Sequence, residues 1–158
     1  MAAERPIRTP TLFLICGLPG AGKTTLARRL ERERPALRLT PDEWLMELYG
    51  DDRAKVDPAR EAIEALQWGV ALRALALGVD VVLDWGVWSR RERGALRAQA
   101  EAVGAQVELC YLEVPRAELW ARIAARNAAR PAGTFHIDKA EFESWWDLFE
   151  PPATDEVE

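Results

Sequence analysis

Residues 11–25 place the strongest constraint on what this chain can fold into. A short apolar run, Thr11 to Cys16, ends in Gly17-Leu18-Pro19-Gly20-Ala21-Gly22-Lys23-Thr24, and a helical pattern follows. Glycines in such a turn let successive backbone N–H groups point inward as an anion nest. A helix that begins at the nest adds its positive dipole end to the same spot. The octet fits G-x-x-x-x-G-K-[ST] at every position. The pattern predicts a phosphate-binding loop, with Gly17, Pro19, Gly20, Ala21 and Gly22 presenting main chain to the phosphates of a nucleotide. Lys23 would reach the β- and γ-phosphates, the Thr24 hydroxyl would ligate Mg²⁺, and Thr25 would touch the α-phosphate. Lysine is scarce here, with Lys23, Lys55 and Lys139 against a large arginine excess, so a lysine in this loop stands out.

The rest of the chain alternates between short apolar runs and helical periods. Expected strands are Thr11–Cys16, Leu37–Leu39, Val79–Asp84 and Gln106–Val114. Expected helices are Lys23–Glu33, one opening at Thr40-Pro41-Asp42-Glu43, Pro58–Leu77, Ser89–Val103, Pro115–Ala128 and Asp138–Phe149. Thr40 with Glu43, and Asp138 with Glu141, have the spacing of capping boxes. Strands alternating with helices imply a parallel sheet with right-handed crossovers, an open α/β fold. The expected organisation is a flexible N-terminus at 1–10, one domain at 11–150 with a lid at about 126–138, and a flexible acidic tail at 151–158.

Ligands of open α/β sheets bind beyond the carboxyl ends of the strands. Three candidate groups fall there: the glycine-rich loop, Asp42 after the second strand, and Asp84 closing the third. Asp42 is positioned to accept a proton from an acceptor hydroxyl or to orient it. Asp84 has the place of an acid that holds a Mg²⁺-bound water or orients the acceptor side. Trp44 follows Asp42 closely, and Trp85 and Trp88 follow Asp84. These three tryptophans could wall a ring or sugar, or could pack the core. Phe142, Trp145, Trp146 and Phe149 have the spacing of a helix packing face. Arg122, Arg126 and Arg130 recur at intervals of four and run into a Pro-Gly loop. Arg126 and Arg130 in particular suit a lid that neutralises charge on a transferring phosphate. His136, in that loop, reads as structural.

Composition narrows the class. The 158 residues are 49% hydrophobic and 30% charged, with a formal charge of −5, as expected for one globular domain. The acidic balance argues against a dedicated nucleic-acid partner. No apolar run approaches a membrane span, and residues 1–10 lack the apolar core of a secretory signal. Cys16 and Cys110 lie in apolar runs and read as reduced core residues of a cytoplasmic protein. A monomer or homodimer is expected.

Taken together, residues 11–149 resemble the small P-loop kinases, the group of polynucleotide 5′-hydroxyl kinases, zeta-type toxins and chloramphenicol phosphotransferase, often grouped as AAA-family ATPases. The resemblance is carried by Gly17–Thr25, Asp42, Asp84 and the segment Arg126-Asn127…Arg130…Ile137-Asp138. It implies a three-layer, nucleoside-kinase-like α/β/α fold with four to five parallel strands and an arginine-bearing lid. It also implies ATP and Mg²⁺, Asp42 as the acceptor-activating carboxylate, and lid arginines on the transferring phosphate. Polynucleotide kinases of this group place an arginine three residues after the aspartate to clamp a substrate phosphate. Leu45 stands there instead, which suits a smaller acceptor with a ring and a hydroxyl. The expectation is therefore a small-molecule kinase. Its alternatives are a polynucleotide 5′-hydroxyl kinase and a non-catalytic nucleotide-binding or ATPase module.

Overall fold

The structure is a computed structural model that describes residues 8–132 and 134–157. Met1–Ile7, most of the expected flexible N-terminus, lie outside the described residues. The elements run β1 (Thr11–Cys16), α1 (Lys23–Glu33), β2 (Leu37–Leu39), α2 (Pro41–Tyr49), α3 (Arg53–Ala76), β3 (Val81–Gly86), α4 (Arg90–Ala102), β4 (Gln106–Tyr111), α5 (Arg116–Ala129), α6 (Lys139–Leu148) and α7 (Thr154–Val157).

All strand pairings are parallel, in the order β2-β3-β1-β4. The central strand β1 is buried on both faces, which explains why it reads as an unbroken apolar run. Its side chains alternate. Leu12, Leu14 and Cys16 join Ala71 and Leu75 of α3 and Leu96 and Ala100 of α4. Phe13 and Ile15 join Ala27 of α1 on the other face, with Leu26 and Leu30 packed against them. Each such fully buried Leu, Ile or Phe contributes about 1.5–3 kcal/mol relative to exposure. The result is the expected three-layer α/β fold. Helices α5 and α6 pack on the loop after β1 through Leu18, Ala21, Leu119, Ile123, Ile137 and Phe142. The Phe142 stripe is a packing face: Phe142 lies against Trp120 and Trp146, Trp145 against Trp88, and Phe149 against Tyr111.

Several boundaries differ from the sequence expectation. Strand β3 runs on to Gly86, so Asp84 lies within it rather than at its end. The extension pairs Gly86 with Cys16 and gives the Gly86 carbonyl the Gly17 N–H at 3.1 Å. Helix α3 begins at Arg53, five residues before Pro58, with the proline inside it. Two features hold this early turn: Val56 is buried against Leu45, Ile63 and Phe135, and Lys55 and Val56 donate to the Asp52 carbonyl. Thr40 precedes α2 as expected, but it forms no capping box with Glu43. Its hydroxyl accepts from Arg38 at 2.8 Å and donates to Asp84 at 3.3 Å, while Glu43 pairs with Arg38. Charged partners draw both side chains away from the helix amides. The Asp138–Glu141 capping box is formed.

Two polar contacts fasten the sheet ends. Asp80, fully buried, accepts from the Thr11 N–H at 2.8 Å and from Arg8. At the other terminus, Thr154–Val157, within the expected tail of residues 151–158, form the turn α7. Glu156 accepts two bonds from Arg93, at 2.8 and 3.2 Å, and Asp155 pairs with Arg90. The Arg93 bond holds the Glu156 carboxyl below its ordinary value. Ionised Glu156 therefore stabilises the fold at pH values above the ordinary glutamate range, and the contribution disappears as the pH falls through its depressed folded-state value. Urea melts should place Glu156→Gln below wild type at pH 7, with the gap narrowing as the pH is lowered through the depressed value of Glu156; a gap unchanged at acid pH contradicts the pair.

Candidate active site

The loop after β1 is built to leave donors free. Gly22 adopts φ +94° at the N-cap of α1, and no side chain caps that helix. No carboxylate occupies its first turn either. The leading N–H groups of α1 thus face the loop unopposed, at the positive end of the helix dipole. The Lys23 ammonium spans the loop and donates to the Leu18 carbonyl at 3.0 Å. Burial pushes Lys23 below the ordinary lysine value, against the pull of Asp84 and Asp42, while Arg126 pushes the same way as burial. Ala21 is buried, Pro19 is half-buried and Thr25 is exposed on the first helical turn.

Thr24 and Asp84 meet directly: the Thr24 hydroxyl donates to Asp84 Oδ2 at 2.8 Å. Parallel pairing of β1 with β3 brings them together, since Thr24 follows β1 and Asp84 lies near the end of β3. Burial raises the Asp84 carboxyl above its usual range, opposed by the Thr24 bond, Lys23, the Thr40 bond and Arg38. A hydroxyl and a carboxylate side by side at the mouth of an anion nest suit Mg²⁺, which takes few protein ligands and completes its shell with phosphates and water. No group of three or more His, Cys, Asp or Glu forms a separate metal cluster among the described residues.

Asp42 opens α2 on the neighbouring strand end and is half-exposed. Arg60 of α3 brings Nη2 to 2.8 Å from Asp42 Oδ1, but off the axis of a hydrogen bond. That oxygen is enclosed and has no aligned donor. Arg126, on α5, lies within electrostatic reach of Asp42, and burial lowers its value below that of an ordinary arginine. Its Nε is enclosed without a partner. Arg130 ends α5 at φ +45° and is exposed.

The segment after α5 is fastened at both ends. Asn127 exchanges two hydrogen bonds with Ile137, at 2.6 and 3.2 Å. Phe135 is buried with Leu45, Val56 and Ile63 between α2 and α3. Between this segment and α2 lies a cavity of about 600 Å³, lined by Met46, Asp51, Arg126, Arg130, Phe135 and His136 among others.

The three tryptophans divide. Trp85 donates to Gln67 at 3.1 Å and packs edge-on against Trp68. Trp88 donates to the Gly17 carbonyl at 3.3 Å and packs against Trp145. Trp44 stands 38% exposed on α2. Sequence reasoning missed Arg60, Gln67 and the double role of Thr40, because Asp42, Trp85 and Asp84, which they meet, are not their neighbours in the chain. Arg122 gave a signal through its spacing. It donates to the Gly20 carbonyl at 3.2 Å and pairs with Glu118.

Gly20 is tied to this scaffold by its conformation, φ +85°, and by space: a Cβ there would meet Ile123 Cγ1 and the Leu119 carbonyl at 3.2 Å each. Gly20→Ala should cost about 1–2 kcal/mol from the left-handed backbone alone, read as a lower urea midpoint. Wild-type stability in that variant would contradict the tight seating of the loop on α5.

Comparison with known proteins agrees with this geometry. The family model described as AAA domain matches residues 12–152. No curated protein sequence matches the chain. Among solved structures, a candidate kinase from Chloroflexus aurantiacus superposes with a TM-score of 0.74 at 19% identity, covering 92% of this chain and 83% of that one. The Pnkp1/Rnl/Hen1 RNA repair complex superposes at 0.73 and 22% identity, over 94% of this chain but 46% of that one. A gluconokinase from Sinorhizobium meliloti superposes at 0.58 and 18% identity, over 94% and 79%. These likenesses establish the P-loop kinase-like fold.

Proposed function

The chain belongs to the AAA-domain family, and on that footing we propose that it is an ATP-dependent phosphotransferase delivering the γ-phosphate to a hydroxyl of a small molecule. The observation that carries this reading is a cluster of four charges. Lys23 and Asp84 flank the nest, and Asp42 and Arg126 lie within electrostatic reach of Lys23. A switch or binding module needs the first pair alone; transfer to an acceptor needs a carboxylate and a cation facing it.

In this mechanism the loop amides and Lys23 hold the β- and γ-phosphates. Thr24 and Asp84 would hold Mg²⁺, which neutralises phosphate charge when bound. The acceptor hydroxyl lies on the exposed side of the Asp42 carboxylate, which takes its hydrogen bond and then its proton as the oxygen–phosphorus bond forms. ADP departs with the electrons of the broken bond. Arg126, and Arg130 beside it, meet the charge on the transferring group. The cavity of about 600 Å³ beside α2 has the size usual for a small-molecule site. Leu45 is buried in the α2–α3 contact, so its position offers no phosphate clamp to a polynucleotide. Trp44, exposed near Asp42, is the candidate aromatic wall, whereas the Trp85 and Trp88 indoles are taken up by Gln67 and Trp68 and by Gly17 and Trp145. Antibiotic, sugar and nucleoside alcohols are the acceptor classes to try.

The likeness to a chain of an RNA repair complex favours one second reading, phosphate transfer to a 5′-hydroxyl polynucleotide. A panel of small alcohols and a 5′-hydroxyl oligonucleotide, each offered with γ-labelled ATP, separates the two. Label on a small alcohol supports the proposal, and label confined to the oligonucleotide replaces it with the second reading. With the acceptor found, Asp42→Asn should lower kcat by about 10²–10⁴-fold and leave ATP affinity within about twofold. Unchanged turnover would remove Asp42 from the base role.

A further inference from the structure

The phosphate loop is fastened to the turn that ends β3. Gly17, its first residue, donates its N–H to the Gly86 carbonyl at 3.1 Å and accepts at its own carbonyl from Trp88 Nε1 at 3.3 Å. Both main-chain polar groups of Gly17 therefore end in residues 86–88. The fit is close: a Cβ on Gly86, whose φ is +93°, would stand 2.8 Å from Trp88 Nε1 and 3.2 Å from the Gly17 carbonyl. Between Gly86 and Trp88 lies Val87, buried and at φ +39°. A β-branched residue in the left-handed region is strained and persists only where its surroundings enforce it.

The enforcement is visible. The Val87 carbonyl receives Arg93 Nη1 at 3.0 Å and the Cys16 thiol at 3.6 Å. Arg93 is 2% exposed. A cation that deeply buried requires a paired anion. Glu156 of α7 supplies it, accepting from Nε at 2.8 Å and Nη2 at 3.2 Å. Glu156 is itself held by the Ala153 N–H at 2.9 Å, and its backbone carbonyl by Arg97 at 3.0 Å. The chain of contacts runs Glu156, Arg93, Val87, then Gly86 and Trp88, and ends on Gly17.

We propose that Arg93 and Glu156 are positioning residues of the nucleotide site, holding the strained Gly86–Val87–Trp88 turn so that Gly17 opens the phosphate loop in its binding shape. The inference rests on the reading of the loop as a nucleotide site and goes beyond it. It makes nucleotide affinity depend on an ion pair on the far side of β1, whose Glu156 lies 63 positions from Arg93 in sequence. Neither residue touches nucleotide. Both act through backbone.

The test titrates MgADP into wild type, Glu156→Gln and Arg93→Lys by calorimetry, well below each melting temperature. Glu156→Gln keeps the shape of the side chain and removes its charge, while Arg93→Lys keeps the charge and loses the fork. The dissociation constant should rise about tenfold in Glu156→Gln, the scale on which a charge-assisted hydrogen bond acts, with Arg93→Lys intermediate. With an acceptor in hand, KM for ATP should rise by the same factor while kcat at saturation changes less. The indole N–H resonance of Trp88, identified by its loss in Trp88→Phe, should move in both variants because its acceptor on Gly17 moves. Lower thermal stability with unchanged MgADP affinity and an unmoved Trp88 resonance would make the pair merely structural and overturn the proposal. Absence of MgADP binding in wild type is a different failure: it removes the nucleotide site itself.

Discussion

A loop that must keep its amides free for a ligand cannot hold its own shape. Residues 17–22 spend few backbone groups on one another, so their geometry is set from outside. Three holds converge on them. Gly17 is bonded on both sides to residues 86 and 88, at and just after the end of β3. Leu18 and Ala21 are buried against Leu119 and Ile123 of α5. Arg122 reaches the Gly20 carbonyl. Within this frame burial keeps the Lys23 ammonium below its ordinary value, with the Leu18 carbonyl as its hydrogen-bond partner. Phosphate oxygens entering the nest would act against that shift.

Strand order decides what surrounds the nest. Because β3 lies between β2 and β1, the end of β3 is next to both neighbouring loops. Asp84 can then take hydroxyls from both sides, Thr24 from the nest and Thr40 from the start of α2. The bond to Thr40 ties the first residues of α2, and hence Asp42, to the same carboxylate that faces the nest. A second link is Phe135, in the segment after α5, lodged between α2 and α3. The arrangement gathers the glycine-rich loop, Asp84 and Asp42 at the carboxyl ends of neighbouring strands, where open parallel sheets bind ligands.

Much of this was legible in the sequence, and for identifiable reasons. The loop of residues 17–24 is contiguous, so its chemistry and its strand–helix context can be read together. Strand β1 and the Phe142 stripe follow local periodicity, and the Asp138–Glu141 box is a local spacing. What escaped is non-local. Thr40 has the sequence of an N-cap, yet a carboxylate from β3 and a guanidinium from β2 compete successfully for its hydroxyl. Pro58 reads as a helix start, while burial of Val56 carries α3 further back. Arg60, Arg93 and Glu156 meet their partners only after the chain folds, and no spacing announces them. The acidic composition after Pro152 suggested a loose tail because the buried arginine that receives Glu156 lies 63 positions earlier.

The account stands on the nest as a site for the phosphates of a nucleoside triphosphate. Calorimetric titration of ATP with Mg²⁺ into the wild-type protein and into Lys23→Ala tests it most directly. Saturable binding of one nucleotide per chain, weakened by at least about tenfold in Lys23→Ala, is the predicted result. No heat of binding in the wild type, or equal affinity in the two proteins, would contradict it.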